Sequence, residues 1–187
     1  MTKIETPEIK VRNREKDWRR KIVKLLGGGF GAEKSYHFNV GEEYYYPYWI
    51  GKVFTSKNRL ILSPKVIYFY VVCDAIDRTF VVLRNLPKTR CQTVDSGMLI
   101  PLSLQKGEFE KEIIKHAVVD CINKQFIVGV PDVEYQESHL IYIPTKEVVT
   151  KLTLEAMAKE RSGSQTNRFF VNIFTGQPKI VPNQCLP

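Results

Sequence analysis

The chain has 187 residues, 43% of them apolar and 11% aromatic, enough to bury a core as one domain or two small fused ones and too apolar for a disordered segment. Its apolar runs are strand-length, far short of the roughly 20 residues that span a bilayer as a helix. The charged start from Lys3 has no secretory-signal pattern, so a cytoplasmic protein without a membrane span is expected. The formal net charge of +8 lies wholly in residues 1–100, with 18 Lys and Arg against 10 Asp and Glu, whereas residues 101–187 balance at 10 against 10. Such a one-sided field suits nucleic acid, an anionic membrane face, an acidic protein, or a merely solvated surface.

In chain order, residues 1–12 are polar, contain Pro7 and show no periodicity, which predicts a flexible N-terminal arm. Trp18, Ile22, Leu25 and Leu26 then recur at helical spacing, with the basic residues largely on the other face. Gly27-Gly28-Gly29 ends that helix. The stretch from Gly27 to Ser35 has the look of a phosphate loop, but such a loop joins a strand to a helix and has glycine before its lysine. Here a helix precedes it and Glu33 stands in the glycine's place, where its carboxylate would repel phosphate. A flexible helix-to-strand connection is the better reading.

Residues 44–54 read as an aromatic strand, with Tyr44, Tyr46 and Tyr48 on one side and Tyr45 and Trp49 on the other. Pro47 removes a ladder donor and predicts an edge strand, a bulge or a strand start. After a polar turn near Ser56-Lys57-Asn58, residues 65–74 and 79–83 read as a hairpin, followed by an irregular link over residues 85–101. The clearest helix covers residues 107–125, with an apolar stripe of Phe109, Ile113, Ala117, Val118, Cys121 and Ile122. Residues 126–130 and 140–149 are strand-like, residues 152–161 read as a short helix, and residues 169–174 and 179–181 form a last hairpin around Thr175-Gly176-Gln177-Pro178.

The second half echoes the first. Tyr44-Tyr45-Tyr46-Pro47-Tyr48-Trp49 returns as Leu140-Ile141-Tyr142-Ile143-Pro144, and Phe69-Tyr70-Val71-Val72-Cys73-Asp74-Ala75 as Phe169-Phe170-Val171-Asn172-Ile173-Phe174-Thr175-Gly176. Each half also begins with an amphipathic helical segment, so the unit reads helix, strand, strand, strand. The expected fold is α+β: two degenerate units of a helix and three antiparallel strands, sharing one sheet with the helices on one face. The first half covers residues 13–100 and the second residues 101–187.

The run from Tyr68-Phe69-Tyr70-Val71-Val72-Cys73-Asp74-Ala75-Ile76-Asp77 to Val82 resembles the closing hairpin of PepSY-type domains, whose pattern is V-D-A-x-[TD]-G. Asp74-Ala75 keeps part of that pattern, and Arg78 stands where its glycine belongs. The second copy keeps Thr175-Gly176 and lacks the Asp-Ala. The resemblance implies a helix on a small antiparallel sheet and a binding or inhibitory module with no catalytic residues to carry over.

The chemistry-bearing residues are sparse. Cys73, Cys91, Cys121 and Cys185 lie far apart without metal-ligand spacing, and Cys73 and Cys121 fit as small buried hydrophobes. His37, His116 and His139 have no neighbour that would make them a base or ligand; His116 and Cys121 stand five residues apart, a poor spacing for facing side chains. Asp74, Asp77 and Asp95 sit near strand ends, where aspartate ordinarily bonds nearby backbone amides, with cation binding the lesser alternative. No catalytic set, metal or cofactor is expected. The binding candidates are Tyr45, Tyr48 and Trp49 with Lys52, Lys57, Arg59, Arg78 and Arg84. Rings interleaved with cations suit a protein interface and equally a single-stranded nucleic-acid platform, while core packing is the plain fate of most such rings. The expectation is a non-enzymatic module that binds another macromolecule, a protein first and nucleic acid as the alternative.

Overall fold

A computed structural model of the chain describes residues 1–8, 15–29, 31–57, 65–124, 132–153, 166–173, 175 and 177–180. The elements in order are β1 (Thr2–Pro7), α1 (Glu15–Leu25), β2 (Tyr36–Lys57), β3 (Lys65–Asp74), β4 (Phe80–Leu83), β5 (Thr89–Val94), α2 (Lys106–Lys124), β6 (Asp132–Leu152), β7 (Thr166–Asn172) and β8 (Pro178–Lys179). Among the described residues the fold is α+β, with two α-helices and mostly antiparallel strands. Six strands form one sheet in the order β4-β3-β2-β6-β7-β8, and β1 pairs with β5 in a separate ribbon.

Its spine is the antiparallel pair of β2 and β6, aligned from Tyr36 opposite Leu152 to Ser56 opposite Asp132. Both strands are far longer than the aromatic and apolar runs that announce them, since the flanking residues alternate polar and apolar and extend the same ladder. The register shifts twice, between Val40 and Glu43 and between Lys52 and Val53, as bulges do where a long strand bends.

Pro47 is neither at an edge nor at a strand start: it lies inside β2, opposite Tyr142 of β6. Pairing of β2 with β3 stops at Tyr48 opposite Asp74, and the Pro47 carbonyl accepts from the Ala75 amide at 3.2 Å just beyond. Backbone groups of one residue point to the same side of a strand, so the missing Pro47 donor faces the place where β3 has already turned away. Pro144 of β6 is placed alike, its carbonyl accepting from the Ile173 amide at 3.1 Å past the end of β7.

α2 lies on β2 and β3, with Phe109 and Ile113 buried among Trp49, Val53, Phe69, Val71 and Cys73. Full burial of each such side chain stabilises by about 1.5–3 kcal/mol. Gly51 makes the approach possible, because a Cβ there would sit 1.7 Å from the Ile113 Cδ1. Glu110 ties the helix to β6 by accepting from the Tyr135 and Ser138 hydroxyls, each at 2.7 Å. α1 packs Trp18 and Ile22 against Val148, Phe169 and Val171. Trp49 is opposite Leu140, and Leu140 and Val148 stand an even number of positions apart on β6, so both helices cover the same side of the sheet. A third cluster, Tyr46, Ile76, Ile100 and Phe170, fills the other side.

Three expectations change. Residues 2–7 are not a loose arm: Ile4 and Thr6 are buried at alternate positions of β1, which pairs along its whole length with β5. For the same reason residues 85–101 are no plain irregular link, since they contain β5. Ser56 and Lys57, expected in a polar turn, belong to β2, which continues to Lys57, and Asn58 lies outside the described residues. The strand expected at residues 126–130 and most of the helix expected at 152–161 lie outside the described residues, and Leu152 itself closes β6.

Candidate functional site

The predicted binding residues do not share one surface. Trp49 is core: 7% exposed, it stacks on Phe109 with centroids 5.9 Å apart, and its indole N–H donates to the Leu104 carbonyl at 2.8 Å. An indole on the helix-covered side is better buried than displayed, because both its apolar body and its donor are satisfied there. Tyr45 is half-buried beside Gln92, Glu43 and Arg90, and Tyr48 points to the opposite side of β2. Lys52 lies 5.5 Å from the Tyr68 ring. Lys57 ends β2, opposite Lys65, and Arg59 falls outside the described residues. Arg78 and Arg84 are exposed at the two ends of β4. Of the eight, the structure groups Tyr48 with one polar cluster, and Arg78 and Arg84 with one sheet edge, where Lys52 stands beside Tyr68.

The polar cluster begins at the turn after β3. Asp74 is 1% exposed, and its Oδ1 accepts from the amides of Ile76 at 3.0 Å and Asp77 at 3.1 Å, the turn chemistry anticipated for this residue. The same oxygen accepts from the Tyr46 hydroxyl at 3.0 Å, and the Lys179 ammonium of β8 donates to the other oxygen. Lys179 also donates to Asp77 at 2.8 Å, and lies 5.3 Å from the Tyr46 ring centroid and 5.6 Å from that of Tyr48. A cation between two carboxylates and two ring faces is held by charge, hydrogen bonds and ring quadrupoles together.

These neighbours set the protonation states. Burial works against the charge on Lys179, but Tyr48 and the hydrogen bonds to Asp74 and Asp77 outweigh it and hold its pKa above the ordinary lysine value. Burial would likewise raise Asp77, yet its bonds to Lys179 and Thr79 bring it below the usual carboxylate value. Burial and then Asp74 push Tyr48 up to about 12 and raise Tyr46 further. Burial, followed by Asp74, moves the Cys73 thiol to about 12, so it is no thiolate at neutral pH. A lysine kept protonated serves neither as base nor as nucleophile. Among the described residues no group of three His, Cys, Asp or Glu is placed to hold a metal ion.

Beside the cluster opens a cleft of about 390 Å³ lined by Tyr46, Tyr48, Thr145, Phe170 and Lys179 and by Asn172, Thr175 and Gln177 of the β7–β8 turn. Its far wall is the β7–β8 turn, whose bonds match those of the β3–β4 turn. Asn172 Oδ1 accepts from the Thr175 amide at 3.1 Å, and Thr175 Oγ1 from the Gln177 amide at 3.2 Å. In the first turn Asp77 Oδ1 accepts from the Thr79 amide at 2.9 Å. The Asn172 amide donates to the Gln177 carbonyl at 3.0 Å, as the Asp74 amide does to that of Thr79 at 2.9 Å. Arg78, at the position of the pattern's glycine, has a left-handed φ of 61°.

The sheet edge at β4 is different in kind. Phe80 and Val82 turn toward α2, Phe80 stacking on His116 at 3.9 Å, while the Cys121 side chain lies outside the described residues. Val81 and Leu83 face the other side at 55% and 37% exposure, opposite Val72 and Tyr70 of β3, and Tyr68, 52% exposed, follows on that side two residues before Tyr70. Arg78 donates to the Ser103 carbonyl at 3.1 Å and lies 3.5 Å from Glu108. Sequence reasoning singled out neither Lys179 as a site residue nor the pair Val81 and Leu83. Lys179 lies 105 residues from Asp74 and carries no local mark, whereas the exposed alternate positions of β4 follow once α2 is known to cover the other side. No protein-family model, curated protein or solved structure matches this chain.

Proposed function

We propose that this chain is a non-enzymatic protein-binding module that meets its partner at the β4 end of the sheet. The observation that carries this reading is the exposure of Tyr68, Val81 and Leu83 together on one side of adjacent strands, with Arg78 and Arg84 at either end of β4. Isolated exposed apolar residues are ordinary, but several on one side of adjacent strands with cations at the ends are the composition of an interface. In this reading the basic first half faces the partner, and the aromatic strand contributes less than its composition promised. The nucleic-acid alternative has less support, since Trp49 is buried and Tyr45 and Tyr48 lie on opposite sides of β2.

The fold accords with two degenerate αβββ halves meeting near residue 100, an arrangement we infer from three parallels. Tyr46 is opposite Ile143, the two residues that the sequence echo equates. Tyr48 is opposite Asp74 as Thr145 is opposite Asn172, and the two turns carry the same bonds. In that alignment Asn172 stands for Asp74, so the second copy keeps the Asx turn that its sequence had seemed to lose. The resemblance of the first hairpin to PepSY-type domains fits the same picture of a helix-on-sheet binding unit.

Affinity capture with the chain and with its V81K/L83K variant tests the reading. A protein held by the former and lost with the latter, at unchanged melting temperature, supports it. Identical captures by both overturn it, and heparin retention that survives both substitutions would favour nucleic acid.

A further inference from the structure

The two edges of the six-stranded sheet are finished differently. In the β3–β4 ladder the Asp74 amide donates to the Thr79 carbonyl, and pairing then runs through Cys73 opposite Phe80, Val72 opposite Val81 and Val71 opposite Val82. Antiparallel residues alternate between facing the partner strand and facing away. Thr79, Val81 and Leu83 therefore use their backbone groups on β3, and the N–H and C=O of Phe80 and Val82 point out from the sheet. At the other end the Asn172 amide donates to the Gln177 carbonyl and Val171 is opposite Pro178, so Pro178 occupies the outward-facing position of β8. A proline there withholds the donor an added strand would need, and β8 is only two residues long. Short strands and proline are the ordinary devices against edge-to-edge pairing. β4, Phe80-Val81-Val82-Leu83, carries no proline, lysine or inward charge, and no other described strand pairs with its outer edge.

We propose that β4 takes up an extended segment of a partner protein as an added antiparallel strand, and that this segment is acidic at its ends. This rests on the protein-binding reading above and specifies its partner. The charges choose between occupants. Arg78 and Arg84 stand at the ends of β4, with Lys88 and Arg90 further along the chain, all exposed. Among the described residues the facing acids are few: Asp77 is engaged by Lys179 and Thr79, and Glu108 lies 3.5 Å from Arg78. A second copy paired antiparallel on β4 would set Arg84 of each copy near Arg78 of the other, and like charges directly opposed are destabilising. An acidic segment reverses that sign, while its apolar residues cover Val81 and Leu83. Main-chain bonds would give the affinity and the alternating side chains the specificity.

The probe is a synthetic peptide of alternating valine and threonine with glutamates at both ends, titrated into the full chain by fluorescence anisotropy while amide hydrogen exchange is followed. Expected are slowed exchange at Phe80 and Val82, and an affinity lowered about tenfold by Arg84→Glu, as for loss of a charged rim contact with a change of sign. N-methylation of the peptide amides that would face β4 should abolish binding without touching the protein's fold. Equal binding of the methylated peptide, equal binding of a lysine-ended peptide, or protection of Phe80 and Val82 by self-association of the chain would each overturn the proposal. If a captured partner depends on Val81 and Leu83 while Phe80 and Val82 exchange unchanged, strand addition fails and the binding-module reading stands. If capture is indifferent to V81K/L83K, that reading fails too.

Discussion

The β3–β4 and β7–β8 hairpins close with the same turn bonds and end in opposite kinds of edge. Asp74 and Asn172 each accept from the amide three residues on, but only Asp74 is charged, buried and joined by Tyr46 and Lys179. The outward positions of the first edge are Phe80 and Val82 and that of the second is Pro178. Turn geometry and edge chemistry are therefore independent choices. One side-chain carbonyl oxygen suffices to shape the turn, while the donor left at the edge decides whether the sheet can grow.

The largest break in this comparison should come from Asp74→Ala. It removes the acceptor of two turn amides and leaves the Tyr46 hydroxyl and Lys179 without their buried partner, so a loss of about 3–5 kcal/mol is expected in urea denaturation. Asn172→Ala, the same deletion in the uncharged turn, should cost about 1 kcal/mol. Equal losses would mean that the charge on Asp74 contributes nothing beyond the turn. Lys179→Met should fall between them, near 3 kcal/mol, because it strands a buried carboxylate but keeps the aliphatic stem against Tyr46 and Tyr48. A double-mutant cycle of Asp74→Ala with Lys179→Met should give a coupling of about 1–3 kcal/mol.

A smaller effect is expected from pH. Asp77 has a lowered folded pKa, so its contribution is present above the ordinary value of 3.8 and is lost as pH falls through the folded value. Lys179 has a raised one, so its contribution is complete below 10.5 and declines as pH rises toward the folded value. Tyr48, raised to about 12 from 10.0, adds to the alkaline loss because its unfolded form ionises first. Urea midpoints should therefore hold steady between these limits and fall at both ends. Asp77→Asn should flatten the acid limb alone; an unchanged limb would remove Asp77 from the account. The smallest expected effect is that of Arg78→Gly, which relieves a left-handed non-glycine residue at the cost of contacts with Ser103 and Glu108. The two should nearly cancel, leaving a change within about 1 kcal/mol. A larger loss would show that Arg78 ties the turn to α2.

Much of this fold was legible in the residues. Phe109 and Ile113 announced the buried face of α2, and Asp74 with Asp77 announced a turn. The echo between Tyr46-Pro47 and Ile143-Pro144 picked out two strands that lie side by side. Pro47 misled because a proline is judged by its own strand, whereas what frees its missing donor is the point at which the neighbour β3 ends. β1 was missed because only Ile4 and Thr6 mark its inner side, too short an alternation to read without β5 beside it.

The residues alone set the local periodicities: which face of each helix is apolar, which positions of a strand alternate, and where Asp, Asn and Gly permit the chain to turn. These depend on neighbours within a few residues, whose spacing in space is set by the backbone. Only the tertiary structure decided that Trp49 goes under α2, that Lys179 reaches Asp74 across most of the chain, and that β4 finishes the sheet with its donors turned outward. Such pairings join segments that are remote along the chain, and an ammonium or an indole carries no sign of its partner until the sheet has brought the two together.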